Sequence, residues 1–532
     1  MPHTRSRFLP RAAALAIVAC AALAAIPALA LGAQFNVNTT ADAAPSLTEC
    51  AGVPGDCALR QAVDAANKTT GPDTIVLPAG HYALTIKGSG EDEGATGDLD
   101  VVEESGISIA GEGARTTVID ATGLEDRVFD VQPLGSLSLS RLTVTGGLAI
   151  DQDGGGIRVI NGALNLDQVA VTDNTANESG YGGGLFIKES LVGISNSLFA
   201  GNRNSGDGGA IFSEGKNTQL TIVNSTLANN AVDTSLYPSF PGWGAYGGAM
   251  EMDHGALAMQ NVTVAGNSIH DGNGGEPEGV GAAFANYADT ESVINTIVYG
   301  NTGTNVEDPA QCSEPIASAG HNLEEQPPPG HLRCFEAPTD LINNPLLGPL
   351  ANNGGETDTM ALQEHSPAID TGDSAHCPAT DQRGVPRPQA GGCDIGAFEL
   401  APPPPPVVFK PTIKRHGHVK VKKAGSTFLV KTPFQVACPA GGPTCAGAIR
   451  LRVPKTKAKG AGTSAAKQVL VGKAPISVAP GKTKQLSLKL SRKGAKMLKQ
   501  AGKLRAQLEV VCHAGSGPAA KATATLKLKL PS

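Results

Sequence analysis

The chain has 532 residues, a net charge of −7, 66 glycines and 4% aromatic residues. Glycine is well above its usual share of about 7%, but no Gly-X-Y period is present, which excludes collagen. Charge is strongly divided: 26 of the 42 Lys+Arg fall in residues 401–532 beside one acid, Glu509, whereas residues 1–400 hold 16 basic and 48 acidic residues. Halves of opposite sign imply different partners.

Residues 1–33 read as a signal peptide. Arg5, Arg7 and Arg11 precede an apolar stretch from Ala12 to Ala25, and Ala28-Leu29-Ala30 fits a small-residue cleavage site. Cys20 follows Val18-Ala19 as a lipoprotein cysteine does, but apolar residues continue past it. No later run approaches the ~20 apolar residues of a membrane span. The mature chain is therefore expected to be secreted, either free or bound to the cell surface.

Nine cysteines remain after Cys20. Eight form close pairs in Gly- and Pro-rich stretches: Cys50/Cys57, Cys312/Cys334, Cys377/Cys393 and Cys438/Cys445, with Cys512 left over. Export permits disulfides, and the spacings miss those of a zinc site.

Leu59, Ala62, Val63 and Ala66 share one helical face, so a helix is predicted there, with Asp56 as N-cap and Asn67 and Gly71 at its end. Short strands follow at Thr74-Ile75-Val76-Leu77, Tyr82 to Ile86, Ile107-Ser108-Ile109, Thr117-Val118-Ile119, Val128 to Val131 and Leu137 to Val144.

A repeat then sets in. Gly154-Gly155-Gly156-Ile157, Gly182-Gly183-Gly184-Leu185, Gly208-Gly209-Ala210-Ile211 and Gly247-Gly248-Ala249-Met250 share one pattern, and Gly281-Ala282-Ala283-Phe284 keeps it weakly. After each comes a pair of amides six positions apart: Gln168/Asn174, Asn196/Asn202, Asn224/Asn230, Asn261/Asn267 and Asn295/Asn301. The second members recur at intervals of 28, 28, 37 and 34, and the longer intervals hold visible insertions. Short alternating strands at this period predict a β-solenoid of about three strands per turn, with like amides stacked in a structural ladder. A leucine-rich repeat is excluded by the absence of its dense leucine signature.

Two stretches resemble a known group. Cys57-Ala58-Leu59-Arg60-Gln61-Ala62, followed by Asp73 to Gly80, resembles the CSLREA motif of secreted bacterial proteins, with Ala58 and Gln61 where the motif has Ser and Glu. Asn344 to Leu350, Asn352-Asn353-Gly354-Gly355, Ser366 to Asp370, Asp381 to Gly384 and Cys393 to Glu399 resemble the choice-of-anchor Q domain. The resemblance covers residues 34–400 and implies a right-handed, pectin-lyase-like parallel β-helix outside the cell. It does not by itself imply an enzyme activity. The β-helix is placed at 34–340, with its N-terminal cap at about 50–80, and a closing segment at 341–400.

A proline-rich spacer at 401–408 leads to a basic module at 409–532. Short alternating strands there, interrupted by one helical piece from Arg492 to Ala501, predict an Ig-like β-sandwich. It resembles basic β-sandwich modules at the ends of secreted actinobacterial proteins. Its charge suits an anionic envelope polymer or polysaccharide. Nucleic acid is not expected, because aromatic residues for base stacking are few.

Chemistry is faintly signalled. Acids on the solenoid turns are Asp151/Asp153, Glu178, Asp207, Glu251/Asp253 with His254, and Asp271/Glu276/Glu278 with His270. Asp253, His254 and Asp271 are the weak catalytic candidates, for a polysaccharide lyase or hydrolase. Glu91-Asp92-Glu93 with Asp98 and Asp100 could hold Ca²⁺, though the spacing misses an EF-hand loop. No other cofactor is expected. The leading expectation is a monomeric, non-enzymatic adhesin-like surface protein, with a passive stalk as a further alternative.

Overall fold

In a computed structural model, the N-terminal unit is built from short strands in which every second side chain is apolar and enters the core. The structure describes residues 32–531 except 47–49, 54, 237–243, 273–278, 307–309, 328, 402–412, 416–417, 439–443, 455–467 and 515–519. Nearly all of the expected signal peptide, most of the proline spacer, the insertion Tyr237 to Pro241, Glu276 and Glu278 lie outside the described residues. The chain divides into two compact units, Met1–Pro402 and Pro403–Ser532.

One coil shows the plan. Ile157–Ile160, Ala163–Asp167, Ala170–Thr172 and Thr175–Asn177 follow one another, and each pairs in parallel with its counterpart in the next coil. Repetition produces four parallel sheets, which we call first to fourth in that order, of seven, ten, ten and six strands. This is a parallel β-helix. Each coil has four strands rather than the expected three, because the chain runs extended again for two or three residues beyond the amide bend. Leu164, Val192, Leu220 and Leu257 stand in one inward row, and Leu166, Ile194, Ile222 and Met259 in the next. Stacking identical positions buries an apolar face that no single coil could bury.

The glycine repeat marks the turn into the first sheet. Gly182 has φ +70°, and a Cβ there would lie 2.4 Å from the Leu185 carbonyl oxygen. Only glycine takes that conformation without cost.

The two amide columns do different work. Asn174, Asn202, Asn230, Asn267 and Asn301 form a buried ladder in which each Nδ2 donates to the next Oδ1, at 3.0, 2.9, 2.9 and 2.8 Å. Gln311 ends it, its Oε1 accepting from Asn301 at 2.7 Å. The first members occupy a left-handed bend: Gln168, Asn196, Asn224, Asn261 and Asn295 have φ between 47° and 58°. Their side chains turn away from that ladder.

The partners of Asn224, Asn261 and Asn295 lie in residues 341–400, whereas Asn196 Nδ2 donates to Asp167 Oδ1 at 2.8 Å. A hairpin of Leu347–Ala351 with Thr359–Leu362 opens this segment. Glu356 accepts from the Ala114 N–H at 2.9 Å, and Asp358 pairs with Arg115 at 2.6 Å. The chain then returns along later coils. Asn224 donates to the Thr380 carbonyl (2.7 Å), Asn261 to that of Asp394 (3.1 Å) and Asn295 to that of Asp373 (3.2 Å). The segment therefore straps the flank of the solenoid. A buried ion pair, Arg387 to Glu399 at 3.0 Å, locks it internally.

Helix α1, Leu59–Asn67, packs against the strands Asp73–Leu77 and Leu99–Val101. Its N-cap is Ala58, not Asp56. The Asp56 carboxylate is taken by the Val53 N–H at 2.9 Å and by Asn38 at 3.2 Å, so the helix starts later. Arg60, only 1% exposed, pairs with Asp42 and donates to the carbonyls of Gly94, Gly97 and Asp98. Cys50–Cys57, Cys312–Cys334, Cys377–Cys393 and Cys438–Cys445 are bonded, and Cys512 is free and buried. No described helix is long and apolar enough to cross a membrane.

The second unit has two four-stranded antiparallel sheets. In one, Thr427–Ala437 pairs with Ile413–Arg415, Lys420–Ala424 and Thr483–Lys489. The other runs in the order Gln468–Val478, Cys445–Pro454, Lys503–Ala514, Ala520–Lys529. Val430, Leu451, Val471, Leu486, Leu508 and Leu528 form its core. Helix α2, Arg492–Ala501, is N-capped by Ser491, whose Oγ accepts from the Gly494 N–H at 3.1 Å.

Candidate functional site

The outer face of the first sheet carries most of the solenoid's unusual chemistry. Strand alternation sends Ile157 and Val159 into the core and turns Arg158 and Ile160 outward. Register then fixes the outward columns. One runs Asp100, Asp130, Arg158, Phe186, Phe212, Glu251, Ala285. Beside it run Ile160, Lys188, Glu214, Asp253 and Tyr287. The residue before each glycine turn adds Asp153, Tyr181, Asp207 and Tyr246.

At the N-terminal end of this strip four aspartates crowd two arginines. Asp98, Asp100, Asp126 and Asp130 are each at most 2% exposed, as is Arg127. Arg127 lies 2.8 Å from Asp98 and 3.6 Å from Asp130, and Arg158 Nε donates to Asp130 at 2.9 Å. Burial pushes Asp98 well above the ordinary aspartate range, and burial likewise lifts Asp100 to about 7. One oxygen each from Asp92, Asp100 and Asp130 lies within 4.8 Å of the others, a set that could hold a metal ion. Gln132 Nε2 reaches all three, at 3.1, 3.2 and 2.8 Å. With two hydrogens, Gln132 Nε2 serves two of the three at a time, while the Gly94 N–H donates to Asp100 at 2.8 Å and Arg158 to Asp130. The sequence pointed to Asp92 and Asp100 but not to Asp130, which stands 30 residues on and joins them only through coil register. Asp98 turns to Arg127 instead. Glu91 is taken by the N–H groups of Glu93 and Thr96.

Further along, Asp207 and Glu251 form the second feature. The Tyr246 N–H donates to the Asp207 carboxylate, whose Oδ1 is shut off from solvent and has no partner among the described residues. Glu251 is 8% exposed, and its Oε2 likewise has no partner among them. Burial raises Asp207 to about 7. Burial, then the charges of Asp207 and Asp253, raises Glu251 well above the glutamate range. Tyr181 and Phe186 both stack on Phe212, at centroid distances of 4.7 and 5.7 Å. A carboxyl raised in this way holds its proton to higher pH than a free one, and while protonated it can donate a hydrogen bond.

The three catalytic candidates do not converge. Asp253 lies beside Glu251 on the strip, with His254 Nε2 at 3.8 Å. His254 sits at a left-handed corner, φ +68°, and its Nδ1 faces Asp289 at 3.4 Å. Asp271 belongs to a different place. It leaves the fourth sheet, is 7% exposed and accepts from Thr234 Oγ1 at 3.0 Å, a bond that ties adjacent coils. Asp151 and Asp153 bind Ser179 Oγ and the Tyr181 N–H in the same coil-to-coil manner. The column pattern was the signal that would have separated Glu251 from Asp271, since only outward strand positions share a face.

No family model and no curated protein matches the chain. Among solved structures it is similar to the crystal structure of pectate lyase Pel9A, with a TM-score of 0.40 and 14% identity over 70% of this chain and 97% of that one.

Proposed function

We propose that the protein is exported and acts at the cell envelope without catalysis. It is a right-handed parallel β-helix of the CSLREA and choice-of-anchor Q kind, held to anionic envelope polymer by its C-terminal unit. In this reading α1 covers the N-terminal end of the solenoid, the C-terminal unit is an Ig-like sandwich, and the chain is monomeric. The partition of charge carries the proposal: 26 basic residues and one acid follow position 400, where the preceding residues are strongly acidic. Such a unit is drawn to polyanions by an attraction that salt screens. Four disulfides suit an oxidising compartment. The full mature chain, mixed with isolated cell-wall material, is expected to sediment with it and to elute as salt is raised. Retention that ignores salt, or none at all, contradicts the proposal.

The Asp207–Glu251 pair favours one second reading, a polysaccharide hydrolase or lyase. Its test is the release of new chain ends from acidic and neutral glycans, with loss of that release in Glu251→Gln.

A further inference from the structure

The single acid of the C-terminal unit is spent internally. Glu509 lies 3.1 Å from Arg452 Nε and 2.6 Å from Lys521 Nζ. No other carboxylate side chain follows position 400 to balance the remaining cations. The register of the second sheet then places like charges directly opposite one another. Lys503 faces Lys529 and Arg505 faces Lys527, whereas Arg450, opposite Lys473 on one side, has Glu509 opposite it on the other. Lys503, Arg505, Lys527 and Lys529 are exposed, and the intervening Ala506, Leu526 and Leu528 are buried, so the four cations share the outer face. A groove of about 560 Å³ adjoins them, lined by His418, Val419, Phe434, Arg505, Lys527 and Lys529.

Like charges directly opposed across a strand pair destabilise a sheet. Lysines on an edge strand have a recognised purpose in blocking edge-to-edge pairing. That purpose accounts for Lys527 and Lys529 on the edge strand, but not for Lys503 and Arg505 on the strand inside it. The arrangement makes sense when an anion lies between the facing cations. Successive outward residues are about 6.7 Å apart along a strand, so the pairs form a short row suited to charges repeated along a chain. Phe434, the one Phe, Tyr or Trp among the described residues lining the groove, is 8% exposed and offers no face for a base to stack on.

We infer that the outer face bearing Lys503, Arg505, Lys527 and Lys529, with the adjoining groove, is the binding site for a linear polyanion with phosphodiester or carboxylate groups along its backbone. This rests on the envelope-binding reading above and names its site. The test uses the full chain with poly(glycerol phosphate) and polygalacturonate as separate probes, and duplex DNA as a competitor class. Lys503→Glu/Lys527→Glu leaves Lys529 and Arg505 each facing a carboxylate. The double variant is expected to lose binding at physiological salt and to flatten the slope of log affinity against log salt by roughly 1.4, about 0.7 for each lysine replaced. Its melting temperature is expected to hold or rise, which separates lost binding from lost folding. Lys484→Glu/Lys493→Glu, with the same change in net charge elsewhere on the unit, is expected to bind nearly as the parent does. Preference for one probe identifies the anion. Equal losses in both double variants overturn this site and leave the envelope reading standing. Tighter binding of duplex DNA than of either polymer also overturns it. A parent chain that binds neither polymer sinks the site and the envelope reading together.

Discussion

Asn174 donates its Nδ2 to the Oδ1 of Asn202, one coil on, at 3.0 Å, and both side chains are wholly buried. The same Oδ1 accepts from the Asn174 backbone N–H at 3.2 Å, and Asn202 Nδ2 caps the Val171 carbonyl at 2.9 Å. One amide thus satisfies groups on both neighbouring coils. Asn202→Leu orphans several of them, at about 1–3 kcal/mol for each buried group left unpaired. Urea unfolding is expected to show a loss of more than ~3 kcal/mol. Asn196→Gly, at the left-handed bend with φ +50°, is expected to cost far less.

The strap depends on Arg387. Its guanidinium, side chain 0% exposed, binds Glu399 and the carbonyls of Asp394 and Gly396. Arg387→Met leaves Glu399 buried and unpaired, a change that typically costs about 3–5 kcal/mol. Hydrogen exchange in residues 341–400 is expected to rise, while the Asn174 to Asn301 ladder stays protected. Uniform exposure of both regions would contradict a separable strap.

The raised carboxyls give stability a definite pH dependence. Asp207 and Asp100 both stand at about 7 in the folded chain against an ordinary value of 3.8. The folded state therefore binds more protons than the unfolded state between those limits. Their contribution is fully present below the ordinary value and is lost as pH rises through about 7. Melting temperature is expected to fall across that window. Asp207→Asn is expected to flatten the fall and to be more stable than the parent on the alkaline side. An unchanged slope would place the proton elsewhere.

Calcium gives a fourth check. Gln132 and Arg158 compete with any cation for the carboxylates of Asp92, Asp100 and Asp130. Added Ca²⁺ is expected to leave the melting temperature of the parent unchanged. A rise that disappears in Asp130→Asn would make this cluster a metal site.

Periodicity made the ladder from Asn174 to Asn301 legible, and close spacing made the four cysteine pairs legible. Gln311 was not, because it joins the ladder 10 residues after Asn301 instead of one coil later. The outward grip of Asn224 and Asn261 was hidden for another reason. Their partners Thr380 and Asp394 lie 156 and 133 residues away, and no local pattern reports a strap that runs back along the coils. Asp207 and Glu251 were visible as turn acids, yet an insertion in the 37-residue interval obscured the register that sets Tyr246 beside Asp207 and Glu251 beside Phe212.

Where the chain resides, and what holds it there, is read most directly on intact producing cells washed with rising salt, without lysis. The protein is predicted to leave the cell surface progressively with salt and to appear in the wash. Protein found only in the cytosolic fraction, or free in the medium at every salt concentration, would contradict envelope attachment by charge.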